Sequence, residues 1–356
     1  MKILIDILHP AHVNFFRNFI SIMEEKGHEI KVTAREKDVA LTILEAYQIP
    51  YTTISTLKKG FFNLGLELVN RTTKLHQISQ EFKPDLLMGV MGPSISIVGK
   101  LTNTPALVFY NNETAKMTNV YVYRLATKYI TSSSYEDKVP KSKHITYNGY
   151  HELAYLHPNR FTPNETEVQK MGINTKGKYF LMRFVTWGSS HDLGAKGFSN
   201  KTEFVKELAK HGQVVISAEK MLDLPEELKK YVLKIPPHLL SDVVAFAHLY
   251  VGESASVASD GACLGVPSIY LANTKRGYTN EQEKLFGLVY NYTGQQEAMA
   301  KTLELAKRSR TSIHKEFQQK RQKLLDYTVD VTQWMVDYVD HFPKNQEKTF
   351  TTNETP

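Results

Sequence analysis

The first residues able to do chemistry follow an apolar opening run, Ile3-Leu4-Ile5-Asp6-Ile7-Leu8, and read His9-Pro10-Ala11-His12-Val13-Asn14. Imidazole titrates near working pH, and a helix start beside it favours the neutral ring. His9 or His12 is therefore a candidate general base. The same helix start suits a carboxylate or phosphate. Taken singly, His12 is as well explained as a helix cap and His9 as packing under a neighbouring loop; their arrival together at a strand's carboxyl end is what favours function. The glycines of G-x-G-x-x-G are missing, which argues against a standard dinucleotide turn here.

A second segment runs from Val251 through Gly252-Glu253-Ser254-Ala255-Ser256 to Asp260, Cys263 and Gly265-Val266-Pro267. Small side chains let backbone amides approach an anion, and a helix beginning there favours a diphosphate against Ser254, Ala255 and Ser256. Asp260, about two turns in, is placed to accept both hydroxyls of a ribose. An ordinary strand-to-helix loop with caps accounts equally well for Gly252 and Ser254 to Ser256.

In a third segment the strand ending at Arg183 releases into Thr186, Trp187, His191 and Asp192. Arg183 is a bidentate donor for phosphate and Thr186 adds a hydroxyl. Trp187 reads as core, and His191-Asp192 as a surface pair or the cap of a short turn. His238 follows Pro236-Pro237, in a loop of the kind that borders a nucleobase in twin-Rossmann enzymes or that proline merely shapes. No H-x-x-x-H, E-x-x-H, D-x-D or aspartate-rich pattern supports a metal. Cys263, inside a helix beside Leu264, reads as packing, and the G-x-S-x-G turn of serine hydrolases is missing.

The elements that must position these residues alternate: short apolar strand, loop, amphipathic helix, strand. That is the pattern of a parallel α/β sheet, and it occurs twice. The first half predicts strands near 2–8, 28–33, 85–91, 105–110, 128–132 and 144–148, with helices near 13–26 and 61–82. In the former helix Val13, Phe16, Ile20 and Met23 recur at helical spacing and Gly27 stops it. Two prolines and a loss of periodicity between about Tyr150 and Asn164 mark an interdomain linker. The second half predicts strands near 178–185, 212–217, 248–251 and 266–271, and helices near 199–211, 240–247 and 253–264. A broken helical segment from about Ser312 to Tyr338 is expected to pack back on the first domain. The expected division is 1–155, a linker at 156–165, 166–310, terminal helices at 311–342 and a polar, disordered tail at 343–356.

The 356 residues suit two domains of roughly 150 residues each. Lys plus Arg exceed Asp plus Glu by a formal net charge of +7, which favours anionic partners. The charges are dispersed, without the basic-aromatic runs that track nucleic acid. A single cysteine excludes a disulfide framework and points to a reducing, cytoplasmic setting. No apolar stretch approaches the ~18–20 residues of a membrane span, and the apolar N-terminus reads as a buried strand rather than a signal peptide.

On Ile5-Asp6-Ile7-Leu8-His9-Pro10-Ala11-His12 with Phe15-Phe16-Arg17-Asn18, Gly27-His28-Glu29 with Thr33-Ala34-Arg35, and Leu264-Gly265-Val266-Pro267, the chain resembles the family catalogued as domain of unknown function 354, across about residues 1–335. That family in turn resembles the GT-B superfamily of UDP-N-acetylglucosamine 2-epimerases and the peptidoglycan N-acetylglucosaminyltransferase. The resemblance implies a GT-B-like α/β fold, with two Rossmann-like domains facing across a cleft. It also implies a nucleotide sugar, UDP-linked, held by the C-terminal domain, an acceptor held by the N-terminal one, and Asp260 where relatives place a ribose-binding glutamate. Two departures stand out: Asp for Glu at 260, and the acidic Glu253 in a turn that is glycine-richer in relatives. The activity expected is metal-independent transfer of a sugar to a hydroxyl or lipid-linked glycan acceptor in envelope or polysaccharide synthesis, with no bound cofactor and a peripheral contact at the inner membrane face. The alternatives are a UDP-sugar 2-epimerase and a non-catalytic nucleotide-sugar-binding protein.

Overall fold

The computed structural model describes residues 1–37, 39–56, 61–111, 113, 116–185, 197–218, 224–274 and 276–345. Its N-terminal sheet is wholly parallel, in the order β3-β2-β1-β4-β5-β6-β7. The strands are β1 Lys2–Ile7, β2 Glu29–Glu36, β3 Thr52–Thr56, β4 Leu86–Val90, β5 Ala106–Tyr110, β6 Lys128–Ser132 and β7 His144–Tyr147. Its crossovers are helices α1 Pro10–Glu25, α2 Ala40–Ala46, α3 Phe61–Phe82, α4 Pro93–Thr102 and α5 Lys116–Leu125. The interior strands β4 and β5 are buried at every position, as expected of strands covered on both faces.

Two short helices, α6 Leu153–Leu156 and α7 Glu165–Lys170, lead to a second parallel sheet in the order β12-β11-β10-β8-β9. Its strands are β8 Tyr179–Phe184, β9 Gln213–Ala218, β10 Leu249–Gly252, β11 Ser268–Leu271 and β12 Val289–Tyr292. The helices are α8 Lys201–Ala209, α9 Leu240–Ala245, α10 Ala255–Leu264, α11 Gly277–Glu281 and α12 Gln295–Lys307. Gly265 ends α10 at φ 71°, a left-handed cap that glycine adopts without strain.

The expected terminal segment is two helices, α13 Arg310–Tyr327 and α14 Val331–Asn345, broken at Thr328-Val329-Asp330. α14 runs through Pro343 to Asn345, so the helix extends three residues beyond the expected start of the tail. It packs along α1, where Asp340 pairs with Lys26, and Thr332 donates to the Ala154 carbonyl at 2.7 Å. Residues 346–356, expected to be disordered, lie outside the described residues.

Both strands missing from the sequence reading, β3 and β12, are sheet edges. β3 buries only Ile54 and β12 only Val289, so neither shows the apolar run that marks the interior strands. α1 also begins three residues earlier than expected, because Pro10 occupies its first turn, where no amide hydrogen is needed.

Candidate functional site between the two sheets

The loop after β1 ends in a cap. The His9 backbone is extended and its Nδ1 accepts from the Ala11 amide at 3.2 Å, while His12 Nδ1 accepts from the Leu8 amide at 3.2 Å. The rings lie 5.8 Å apart, centroid to centroid. His12 is buried, and burial first, then His9, His151, Lys37 and Arg35, holds its pKa well below the ordinary value, so the ring is neutral. A neutral imidazole whose Nδ1 accepts a backbone hydrogen carries its proton on Nε2. As placed, each ring spends Nδ1 on a backbone amide and carries its proton on Nε2, and it is His9 that caps the helix.

At the opposite wall, β10 delivers Gly252 beside Arg183 of β8 in register. Arg183 Nη1 donates to Ser217 Oγ at 2.9 Å. Ser254 takes an extended conformation before α10 with no side-chain cap; its hydroxyl lies 3.1 Å from that of Ser256, and its carbonyl accepts from Tyr250 Oη at 3.1 Å. Ala255 is buried and Ser256 half-buried at this helix start. Glu253 is turned into the loop after β8: its two oxygens accept the amides of Val185 and Phe198, each at 3.0 Å. Thr186, together with Trp187, His191 and Asp192, lies outside the described residues.

Asp260 is buried, and Tyr155 of α6 donates to its Oδ1 at 2.6 Å. One of the two oxygens expected to meet a ribose thus already has a protein donor. Burial pushes Asp260 up to about 7, against opposing pulls from that hydrogen bond, Arg183 and Arg17. One residue earlier, Ser259 donates to Glu152 Oε2 at 2.8 Å and accepts from Gln282 Nε2 at 2.7 Å. Burial and the Asp260 charge push Glu152 up to about 8, so at neutral pH it is mainly a carboxylic acid.

His238 sits apart, edge-on to Tyr47 at 6.4 Å, with its carbonyl receiving Tyr47 Oη at 3.4 Å. It stands where α2 of the first domain meets the 3-10 turn Pro237–Leu239 of the second.

A small pocket opens between the carboxyl ends of β5–β7 and α11, walled by Asn111, Glu113, His151, Glu152, Ser134 and Tyr278 among others. Burial raises Glu113 despite its bond from the Glu136 amide. His151 stacks flat on Phe15, with centroids 3.6 Å apart and planes within 1°, and burial lowers it to about 3. The two domains close tightly here: a side chain at Gly277 would collide with the Ser134 carbonyl, and Tyr150 Oη donates to Glu281 at 2.8 Å. The sequence reading missed Glu113, His151, Glu152 and Tyr155. The available signal was His151-Glu152 placed directly after a strand, within a stretch read as linker. Among the described residues no group of three or more His, Cys, Asp and Glu side chains could hold a metal ion, and no helix is long and apolar enough to cross a membrane.

Two parallel α/β sheets meeting across such a seam, with the last helix returning to the first domain, define a GT-B-like fold, and solved structures share it. A protein of Listeria monocytogenes provisionally assigned as a UDP-N-acetylglucosamine 2-epimerase superposes with a TM-score of 0.72 at 10% identity, covering 100% of this chain and 99% of its own. UDP-GlcNAc 2-epimerase from Neisseria meningitidis, bound to UDP-GlcNAc, gives 0.64 at 14% identity over 97% and 100%. Glycosyltransferase SsfS6 of Streptomyces sp. SF2575, complexed with thymidine diphosphate, gives 0.63 at 13% over 96% and 99%. In sequence, the uncharacterized protein MJ0665 of Methanocaldococcus jannaschii is 21% identical over 76% of this chain and 81% of its own length. The family model "Protein of unknown function (DUF354)" matches residues 1–343, and the chain belongs to that family.

Proposed function

We propose that the chain is a nucleotide-sugar enzyme, its donor a UDP-linked sugar whose diphosphate lies against the amides opening α10 and the Arg183 guanidinium. The observation that carries this reading is the orientation of Glu253. Both its oxygens are spent on Val185 and Phe198, so the uncapped start of α10 beside Arg183 keeps its positive end for an anion. Ser254, Ala255 and Ser256 supply the amides, and Asp260 Oδ2 is the oxygen left for a ribose hydroxyl.

In the preferred reaction the sugar passes to a hydroxyl acceptor, free or on a lipid-linked glycan of envelope or polysaccharide synthesis, at the cytoplasmic membrane face. His9 and His12 donate from Nε2 to ligand oxygens. Glu113, a partly open carboxylate, takes the acceptor proton as the acceptor oxygen bonds to the anomeric carbon, and the electron pair of the broken bond leaves on the diphosphate. Preorganised donors at α10 offset that charge.

A second reading, 2-epimerisation, is favoured by the two carboxyl groups Glu113 and Glu152 in one pocket with His151, an acid/base set that needs no acceptor. Incubation of donor alone in deuterated water separates the two: an epimerase exchanges the C2 hydrogen, a transferase leaves it in place. The common reading itself is tested by thermal shift against UDP, TDP, GDP, ADP and their sugar conjugates. Selective stabilisation by one diphosphate series supports it, and a flat response across the panel defeats it.

A further inference from the structure

We propose that the pocket between β5–β7 and α11 is a subsite for a single uncharged sugar hydroxyl, and that His151 Nε2 is its partner. The inference rests on the nucleotide-sugar reading and assigns the sugar's place within it.

His151 is only 6% exposed, and its Nε2 has no hydrogen-bond partner. A buried, unpaired ring nitrogen costs free energy unless something meets it. The ring cannot swing away to find water, because Phe15 lies flat against one face and Tyr147 Oη stands 3.4 Å from Nδ1. The chemistry of the walls selects the ligand. Glu113, Glu152, Ser132, Ser134 and Tyr278 line the same space, and among the described residues no lysine or arginine does. A phosphate or carboxylate would stand against Glu113 and Glu152, whereas a hydroxyl both donates and accepts and suits His151 and both carboxyl groups. The cavity, about 10 Å³, has room for one water-sized group, the size of a hydroxyl rather than of a sugar ring. The anionic and neutral halves of the donor thus meet separate surfaces: diphosphate at α10 and Arg183, hydroxyl at His151.

His151→Phe keeps the stacked ring and removes only the nitrogens. Titration calorimetry of the full chain with UDP and with UDP-N-acetylglucosamine, beside thermal unfolding, tests the assignment. The expected result is an unchanged or raised unfolding temperature, UDP affinity within about twofold of wild type, and at least a tenfold loss of the affinity advantage of the sugar conjugate over UDP. The proposal is overturned if that advantage is retained in the variant, which would leave only a water at Nε2, or if UDP and the conjugate weaken equally, which would mark a structural role. Should His151→Phe fail to fold, His151→Gln, with its own hydrogen-bonding amide, is judged by the same ratio and is expected to retain part of the advantage; a full loss there would overturn the assignment. Failure of wild type to bind UDP at all would instead remove the nucleotide-sugar reading beneath it.

Discussion

Two polar clusters are buried in the molecule, and they are wired in opposite ways. In one, Asp6 of β1 receives Thr33 Oγ1 at 2.7 Å and pairs with Arg71 of α3, which also donates to Ser55 at 2.7 Å; Ser55 and Arg35 in turn satisfy Glu67 at 2.9 and 2.6 Å. Each carboxylate there meets a guanidinium. In the other, Glu152 and Asp260 interact while, among the described residues, no cation bonds to either; they are served by hydroxyls, and His151 Nε2 and Gln282 Oε1 have no partner there. The first cluster is complete and reads as architecture. The second is incomplete at neutral pH, and incomplete buried polar clusters are where a ligand or a proton has work to do.

The largest effect that sharpens this contrast is expected in the complete cluster. Arg71→Met strands the Asp6 carboxylate in the core, and urea unfolding should show a loss of about 3–5 kcal/mol, because a buried charge deprived of its partner keeps its desolvation cost. A loss under about 1 kcal/mol would mean that the first cluster is not the closed ion-paired unit described.

Across the seam the signature should be pH dependence rather than a fixed loss. The Glu152 carboxyl, ordinarily near 4.5, keeps its proton to about 8 in the folded chain. The native state therefore binds the extra proton between those values. The stability this contributes is full below about 4.5 and drains away as pH rises through about 8. Asp260, raised from 3.8 to about 7, acts in the same direction. Glu152→Gln should flatten the curve, so that between pH 5 and 9 wild type loses on the order of 1–3 kcal/mol more than the variant. Parallel curves would break the comparison, since Glu152 would then titrate as an ordinary carboxylate.

Smaller still is the contribution of Tyr155. Tyr155→Phe removes the donor to Asp260 and should cost about 1–2 kcal/mol near pH 8, where Asp260 is ionised, and less near pH 5, where the carboxyl is protonated. Equal costs at both pH values would show that the hydroxyl does not serve the charged form.

The fold was legible where burial writes itself into the chain. The apolar runs of β4 and β5, and the Gly265-Val266-Pro267 stop after α10, each point to one element. β3 and β12 were not legible, because an edge strand buries one residue in four or five and leaves no period to read. The helix start proposed to meet an anion was legible as an element for a related reason: a strand ending in small residues before a helix is a local signal. The Glu152 and His151 part was not. Glu152 meets Ser259 across 107 residues and Tyr155 meets Asp260 across 105, and no local pattern encodes a contact between residues so far apart in sequence. The imidazoles at 9 and 12 show the converse limit: sequence places a ring, but hydrogen-bond geometry decides whether it accepts or donates a proton.

Calorimetric titration of UDP into wild type and into Arg183→Ala tests the central claim, that the start of α10 beside Arg183 holds a diphosphate. Saturable UDP binding by wild type, at least tenfold weaker in the variant at an unchanged unfolding temperature, is the predicted result. Equal UDP affinity in both proteins, or no affinity of wild type for any nucleoside diphosphate, would contradict it.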